Sequence, residues 1–388
     1  MISVDEAQSA LIAAAPSMPG EAVPLADAVG RVLREPVVAL RTQPPFPSSA
    51  MDGYAVRAAD LRGPVRVVGE AAAGRRWSGV LGPREAVRIF TGAPVPDGAD
   101  AVLIQEDATR EGDRLTALAA VAPGDHVRAE GLDFRSGDGL VDAGTTLAAR
   151  HVALAGAAGH ARLVVAARPR VALLATGDEL VLPGTPAGPD QIVASTSGAL
   201  AAMLREAGCD AVDLGIALDD RRELASRVGE GTTTADVLVT LGGASVGEHD
   251  LVRLALADIG VTPDFWRVAV RPGKPLMFAS RPPVLGLPGN PVSAIVCAIL
   301  FLIPFVRAMQ GANDPLPPTV EGTLGAPVGA NGPRRDHMRA RLEAGRVVPF
   351  PVQDSSMLST LSQADVLLVR QPRAPASEAG APCCYIPL

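Results

Sequence analysis

The sequence predicts a multi-domain α/β plus β protein. It comprises a doubly wound, mostly parallel α/β domain, an inserted β-rich domain, an elongated helical N-terminal domain and a small C-terminal β-barrel. Three observations carry this. A chain of 388 residues exceeds what one hydrophobic core usually organises. Residues 170–309 alternate short apolar runs with helix-length segments, the pattern of a parallel sheet covered on both faces. Two other stretches, 48–140 and 314–388, carry only short runs broken by Gly and Pro, which is a β pattern.

In chain order, residues 4–14 and 22–33 read as amphipathic helices, followed by an extended segment over 37–47. Alternating runs at 65–68, 86–90 and 101–105 predict strands. Residues 150–168 are Ala-rich and read as a helix returning beside the N-terminal helices. That return makes 45–139 an insertion and joins 1–44 to 140–168 in one domain. In the α/β domain, 169–313, strands are expected at 171–175, 211–216, 237–240, 265–270 and 284–287. Helices are expected at 196–207, with Ser195 or Thr196 as cap, and at 221–228, 251–259 and 292–309. A Pro-rich linker at 313–318 leads to the last domain, 314–388, with strands at 347–350, 366–369 and 385–387.

Composition narrows the function classes. An apolar fraction of 48% with 20% charged residues describes a globular protein. The apolar stretch 294–306 contains Pro304 and reads as too short and broken to span a bilayer, so a core or dimer-interface helix is expected. The first residues lack a basic region and already carry Asp5 and Glu6, so a cytoplasmic protein is expected. A net charge of -7 argues against nucleic-acid binding. Four cysteines without CxxC spacing make no disulfide framework, and the five scattered histidines make no zinc site. A bound metal would need oxygen ligands, which suits Mg²⁺. Among 35 Lys and Arg residues the single lysine is Lys274, within Arg271-Pro272-Gly273-Lys274-Pro275, where a compact point charge is singled out.

Four clusters fall just after predicted strands of the α/β domain: Thr176-Gly177-Asp178-Glu179, Asp219-Asp220, Gly242-Gly243-Ala244-Ser245 and Pro288-Gly289-Asn290-Pro291. Ligands of doubly wound folds bind at the carboxyl ends of the strands, so the clusters should line one crevice. Glycine admits a phosphate close to the backbone, and helix-start N–H groups stabilise its charge. Asp178, Glu179, Asp219 and Asp250 add carboxylates, which make sense beside phosphate if Mg²⁺ bridges them. For Asp250 an N-cap role is the alternative. Upstream, Met51-Asp52-Gly53-Tyr54-Ala55 puts a carboxylate on a Gly-containing segment that could equally be an Asp-Gly hairpin turn. The segment Thr91-Gly92-Ala93-Pro94-Val95-Pro96 offers a hydroxyl and backbone donors on a Pro-stiffened loop.

Together these words resemble the molybdopterin molybdenumtransferase family, the MoeA proteins and the C-terminal domain of gephyrin. The matching words are Pro-Phe-x-x-Ser-x-Met-Asp-Gly-Tyr-Ala at 45–55, Thr-Gly-Ala-Pro-Val-Pro at 91–96 and Ala-Thr-Gly-Asp-Glu-Leu at 175–180. They continue with Gly-Gly-x-Ser-Val-Gly-x-x-Asp at 242–250, Arg-Pro-Gly-Lys-Pro at 271–275 and Gly-Leu-Pro-Gly-Asn-Pro-Val-Ser at 286–293. The resemblance implies a homodimer whose shared site binds adenylylated molybdopterin, Mg²⁺ and molybdate and yields molybdenum cofactor and AMP. It implies exchange with molybdopterin adenylyltransferase and apo-molybdoenzymes. By motif, Asp52, Thr91, Glu179, Asp219, Asp250 and Lys274 would carry catalysis, with Glu179, Asp219 and Asp250 at the metal. Asp178, Gly242, Gly243, Ser245, Arg271, Pro288, Gly289, Asn290, Ser293 and Asp133 would bind substrate, as would Arg339 and Ser355 by a looser match.

The chain departs from the family pattern at Leu241, where serine is usual, Thr196, where asparagine is frequent, and Arg271, where lysine is common. Two rival functions follow from the same words. One is adenylylation of molybdopterin, whose enzymes resemble the α/β domain alone. The other is a non-catalytic scaffold. A nicotinamide enzyme is disfavoured, since no GxGxxG follows a strand.

Overall fold

The computed structural model describes residues 1–242 and 251–388. Its centre is a six-stranded sheet in the spatial order Asp210–Ala217, Arg170–Thr176, Val237–Leu241, Pro283–Leu287, Pro275–Ser280, Phe265–Arg267. The first four strands are parallel; the last two are antiparallel additions. Successive residues of a strand face opposite sides. Thus Leu173, Val239 and Leu285 pack on one face with the helices Thr196–Glu206 and Pro291–Cys297. Ala172, Leu174, Leu238 and Val284 pack on the other with Arg221–Thr234 and Leu251–Asp258. Burial on both faces is why these strands read as unbroken apolar runs.

The expected strand at 265–270 is divided. Phe265–Arg267 stays in this sheet, whereas Val270–Arg271 pairs in parallel with Arg335–Glu343 of the C-terminal unit. Pro275–Ser280 is a strand that the sequence pattern does not predict, because its first residue closes a motif that reads as a turn; a proline is tolerated there, at the start of a strand.

The helix expected at 292–309 is one run of 19 residues, Pro291–Met309; it is long and apolar enough to cross a membrane by composition, and 72% of that apolar window is buried. Pro304 does not break it, because a π turn over Ala298–Leu302 shifts the hydrogen-bond register just before it. Phe301 and Phe305 are buried in the central core.

The N-terminal unit departs most from its expected helical form. Val4–Ala14 is a helix with a capping box made by Ser3 and Glu6, and its Val4, Ala7 and Leu11 pack into the α/β core. Residues 22–33 are not a helix. Gly20–Pro24 is a strand paired antiparallel with Arg162–Ala166, followed by a short turn Leu25–Asp27. The apolar spacing that mimics a helix instead serves extended chain: Val23, Leu33 and Val165 share one small core. The segment 150–168 likewise splits into a helix, Ala149–Ala157, and that paired strand, with Gly159 at φ +102° between them.

Val37–Val38 pairs with Gly139–Val141, so the chain leaves and re-enters this unit on adjacent strands. Between them lies a six-stranded sheet ordered Ala101–Ile104, Gly53–Val56, Glu85–Ile89, Val65–Ala71, Arg114–Ala117, Ala108–Glu111. At the C-terminus Arg346–Pro349, Arg335–Glu343, Val366–Arg370, Pro382–Pro387 and Val320–Thr323 pair in turn, and a bridge from Leu324 to Val347 closes the ring into a small barrel.

Candidate functional site

Three glycine turns meet at the carboxyl ends of the parallel strands. A Cβ on Gly177 would stand 2.4 Å from the Glu179 carboxylate. One on Gly242 would lie 2.8 Å from the Thr176 carbonyl, and one on Gly289 3.3 Å from the Gly242 Cα. Gly177 and Gly242 also have φ of +147° and +91°, which disfavours any side chain there. This close packing leaves a cavity of about 630 Å³ over the strand ends, lined by Thr176, Glu179, Asp219 and Asn290 and by apolar Leu180 and Ile192. Leu241 and Thr196, two departures from the family pattern, both line it. Concavity, an apolar wall and a few polar groups suit a small-molecule ligand.

The mouth of this cavity is acidic. The Asp219 N–H donates to Asp178 Oδ1 at 2.9 Å. Partial burial, then the charges of Asp178 and Glu179, push the Asp219 carboxyl above its ordinary range. Asp220 serves the fold instead, capping the helix Arg221–Thr234 by accepting from the N–H groups of Arg222 and Glu223. Among the described residues no three Asp, Glu, His or Cys side chains form a ready metal-ligand set. The like-charge repulsion on Asp219 nonetheless fits a divalent cation that completes its shell with oxygens of a substrate, the usual habit of Mg²⁺. Gly243, Ser245 and Asp250, expected here, lie outside the described residues.

A second cavity of about 470 Å³ adjoins the first and is cationic. Arg271, Arg334, Ser293, Gln353, Asp354 and Ser355 line it. The Arg271 loop is fixed by packing: a Cβ on Gly273, whose φ is +107°, would fall 2.2 Å from Cys297 Sγ. Pro288 is buried beneath that glycine. Arg271 Nη1 lies 3.3 Å from Asp336 Oδ2; burial pushes the Asp336 carboxyl up, and Arg271 acts against that rise. His337, next in the strand, is nearly fully buried, and its pKa falls to about 4 for want of solvation. Lys274 sits between Gly273, which lines this cavity, and Pro275, which lines the first; it is exposed and has no ion pair among the described residues.

Arg339, expected to bind substrate by a looser match, packs in this structure as an internal strut. It is 1% exposed and directs its donors to Gln353 Oε1 at 3.1 Å and the Asp354 carbonyl at 2.6 Å. The loop it holds forms the wall between the cavities: Asn290 Nδ2 donates to Ser355 Oγ at 2.9 Å, and the Val292 N–H donates to the Ser355 carbonyl at 3.3 Å. Arg334, Gln353, Asp354 and Ser356 are cavity residues that the sequence motifs do not single out. Their only sequence signal is proximity to Arg339 and Ser355.

The other expected half of the site stands apart within one chain. Asp52 Oδ1 accepts from both the N–H and the Oγ1 of Thr91, each at 2.8 Å. These bonds, with a smaller contribution from the Arg88 charge, hold the Asp52 carboxyl below its ordinary range. Gly53 is not a hairpin glycine: it begins a strand, and a Cβ there would overlap the Leu103 carbonyl at 2.0 Å. Neither Asp52 nor Thr91 lines the two cavities. Asp133 is exposed on a turn held by the Gln43 carbonyl and shares no hydrogen bond with Asp52 among the described residues.

Comparison with known proteins places this geometry among relatives. Residues 2–159 match the MoeA N-terminal region (domain I and II), 172–308 a probable molybdopterin binding domain, and 321–388 the MoeA C-terminal region (domain IV). The chain is 38% identical to molybdopterin molybdenumtransferase 2 of Mycobacterium tuberculosis, over 89% of each chain. It is 39% identical to the molybdopterin molybdenumtransferase of Nostoc sp., over 75% of this chain and 70% of that one. The crystal structure of the molybdopterin biosynthesis MoeA protein of Pyrococcus horikoshii superimposes with a TM-score of 0.89 at 26% identity, covering 100% of both chains.

Proposed function

We propose, because this chain belongs to the MoeA family of molybdopterin molybdenumtransferases, that it inserts molybdenum from molybdate into adenylylated molybdopterin and releases AMP. The observation that carries the reading is the pair of adjoining cavities of opposite charge at the strand ends. A tetrahedral oxyanion and a phosphate-bearing pterin need separate places that share a boundary. The cationic cavity supplies Arg271 and Ser293, with Lys274 at its edge, for molybdate. The larger cavity takes the adenylylated pterin, its apolar wall against the ring systems and its glycine turns against the phosphates.

Glu179 and Asp219 would hold Mg²⁺ with phosphate oxygens of the substrate, and the ion would neutralise charge that builds on them. Asp178 orients Asp219 through the backbone N–H. Attack of a water oxygen on the adenylyl phosphorus breaks the bridging P–O bond, the water supplying the oxygen that AMP carries away and its protons passing to the phosphates and solvent. The two dithiolene sulfurs displace one oxo ligand of molybdate as water, with molybdenum kept at its oxidation state. AMP departs with the phosphorus, and the terminal phosphate stays on the pterin. Arg271 and Lys274 keep molybdate beside the dithiolene as that bond opens. Asp52 and Thr91 reach this centre from a partner protomer in a homodimer, which explains why they line neither cavity of their own chain.

Incubation with adenylylated molybdopterin, Mg²⁺ and molybdate tests this. Molybdate-dependent AMP release and activation of an apo-molybdoenzyme are expected. Adenylylation of molybdopterin from ATP, without that release, would overturn the reading in favour of the preceding step. Mixing Asp52→Ala with Lys274→Ala protein should restore part of the activity each lacks; no recovery would refute the shared site.

A further inference from the structure

We propose that Arg88 is a positioning residue that holds Asp52 and Thr91 together in the working half-site. The inference rests on the reaction proposed above for what Asp52 does, but not for how it is held. Arg88 lies on the strand Glu85–Ile89, opposite Tyr54 in antiparallel register. Its guanidinium carbon is 5.1 Å from the centre of the Tyr54 ring and 4.8 Å from that of Phe90. Such cation–π contacts orient a planar guanidinium as well as attract it. Nη1 donates to the Gly53 carbonyl at 3.1 Å and Nη2 to Gln105 Oε1 at 2.7 Å. Gln105 in turn donates its own N–H to the Asp52 carbonyl at 3.1 Å.

Arg88 therefore grips the Asp52 turn from both sides: at Gly53 directly, and at the Asp52 backbone through Gln105. Its contact with Phe90 ties in the loop whose next residue, Thr91, donates twice to the Asp52 carboxylate. The two Thr91 bonds join the segments directly, and the one guanidinium braces both of them from the same side. Charged groups on neighbouring segments are Glu70, in register with Arg88 on Val65–Ala71 and paired with Arg75, Glu106 after Gln105, and His126 and Arg128 beside the strand Ser48–Ser49. Arg88 is the charge whose field reaches Asp52. A lysine could supply the charge but not the planar fork, so the two contributions are separable.

The test uses Arg88→Met, which keeps an apolar stem against the rings, and Arg88→Lys, which keeps the charge. Carbon-13 NMR titration of the Asp52 carboxyl should show a higher pKa in Arg88→Met and a partial return in Arg88→Lys. In molybdate-dependent AMP release, kcat of Arg88→Met should fall about tenfold with KM for molybdate unchanged. An unaltered Asp52 titration in folded Arg88→Met protein overturns the proposal, whatever happens to turnover. The titration needs no turnover, so a wild-type protein that releases no AMP would sink the proposed reaction alone. If Arg88→Met does not fold, Gln105→Leu, which removes one acceptor of the guanidinium, takes its place under the same criteria.

Discussion

The two cavities that flank the start of the helix Pro291–Cys297 share a wall and differ in sign. On one side Asp178, Glu179 and Asp219 crowd negative charge that no protein cation answers among the described residues. On the other, Arg271 and Arg334 line a space that also holds Asp354, while Asp336 is buried behind Arg271. The wall itself is neutral, an Asn290–Ser355 hydrogen bond. In the proposed reading the acidic pocket would take phosphate only together with a divalent cation, whereas the cationic one would take a free oxyanion, so the separation would sort the two ligands. The handover would then fall at the wall, where the single Lys274 lies between residues of both cavities.

Lys274→Ala should give the largest effect. An exposed ammonium without an ion-pair partner among the described residues contributes little to folding, so thermal stability should stay unchanged. Molybdate-dependent AMP release should fall by about 10²–10³-fold, the scale of losing one donor that meets developing charge. Undiminished turnover would remove Lys274 from the boundary and leave the sorting to Arg271 alone.

Acid should weaken the cationic side through His337. Burial holds its folded pKa at about 4, against 6.5 for the exposed side chain. A depressed folded value means the stability it protects is present above 6.5 and is lost as pH falls towards 4, because the unfolded chain takes up the proton. The loss over that window is about 3 kcal/mol at most. Urea unfolding at pH 7 and pH 5 should show the difference in the wild type and much less of it in His337→Gln. An equal slope in both proteins would place the acid sensitivity elsewhere.

Gly273→Ala tests whether the cationic loop is fixed by packing. The added Cβ meets Cys297 Sγ in the middle of a buried helix and must adopt a φ of +107°. Overpacking with that backbone should cost about 2–3 kcal/mol. It should raise KM for molybdate as Arg271 shifts, with little change in magnesium affinity at the other cavity. A variant with wild-type stability would mean the loop is loosely held.

How much of this was legible in the sequence follows from the kind of constraint. The α/β sheet and one glycine-lined crevice at its strand ends were readable, because double-sided burial leaves apolar runs and close backbone approach leaves glycines; the adjoining cationic cavity was not. Gly53 was visible but its reason was not: an Asp-Gly pair looks like a hairpin, whereas the glycine yields to the Leu103 carbonyl. The N-terminal unit misled because Leu25, Val29 and Val32 share a spacing that suits a helix face, whereas the extended chain and turns bury Val32 and leave Val29 exposed. Arg339 was legible by residue type and order alone, because a motif does not give the direction of a side chain. Arg88 left no signal, since an arginine within a strand resembles any other edge charge until its rings and acceptors are seen in space.

The smallest effect expected concerns the acidic side, and it runs against the ordinary sign of a site mutation. Partial burial and the charges of Asp178 and Glu179 raise the folded pKa of Asp219 above its unfolded value. By linkage, the stability this proton supports is present below the unfolded pKa and is lost as pH rises through the folded one. An ionised Asp219 is therefore a liability that a bound cation would repair. Asp219→Asn should melt about 1–2 °C above wild type in the absence of Mg²⁺, as do other substitutions that relieve function-bearing strain. Added Mg²⁺ should raise the wild-type melting temperature by mass action and leave Asp219→Asn nearly unmoved. A variant that melts lower than wild type, or that gains as much from Mg²⁺, would show that Asp219 is structural and that the cation, if any, is held by other groups.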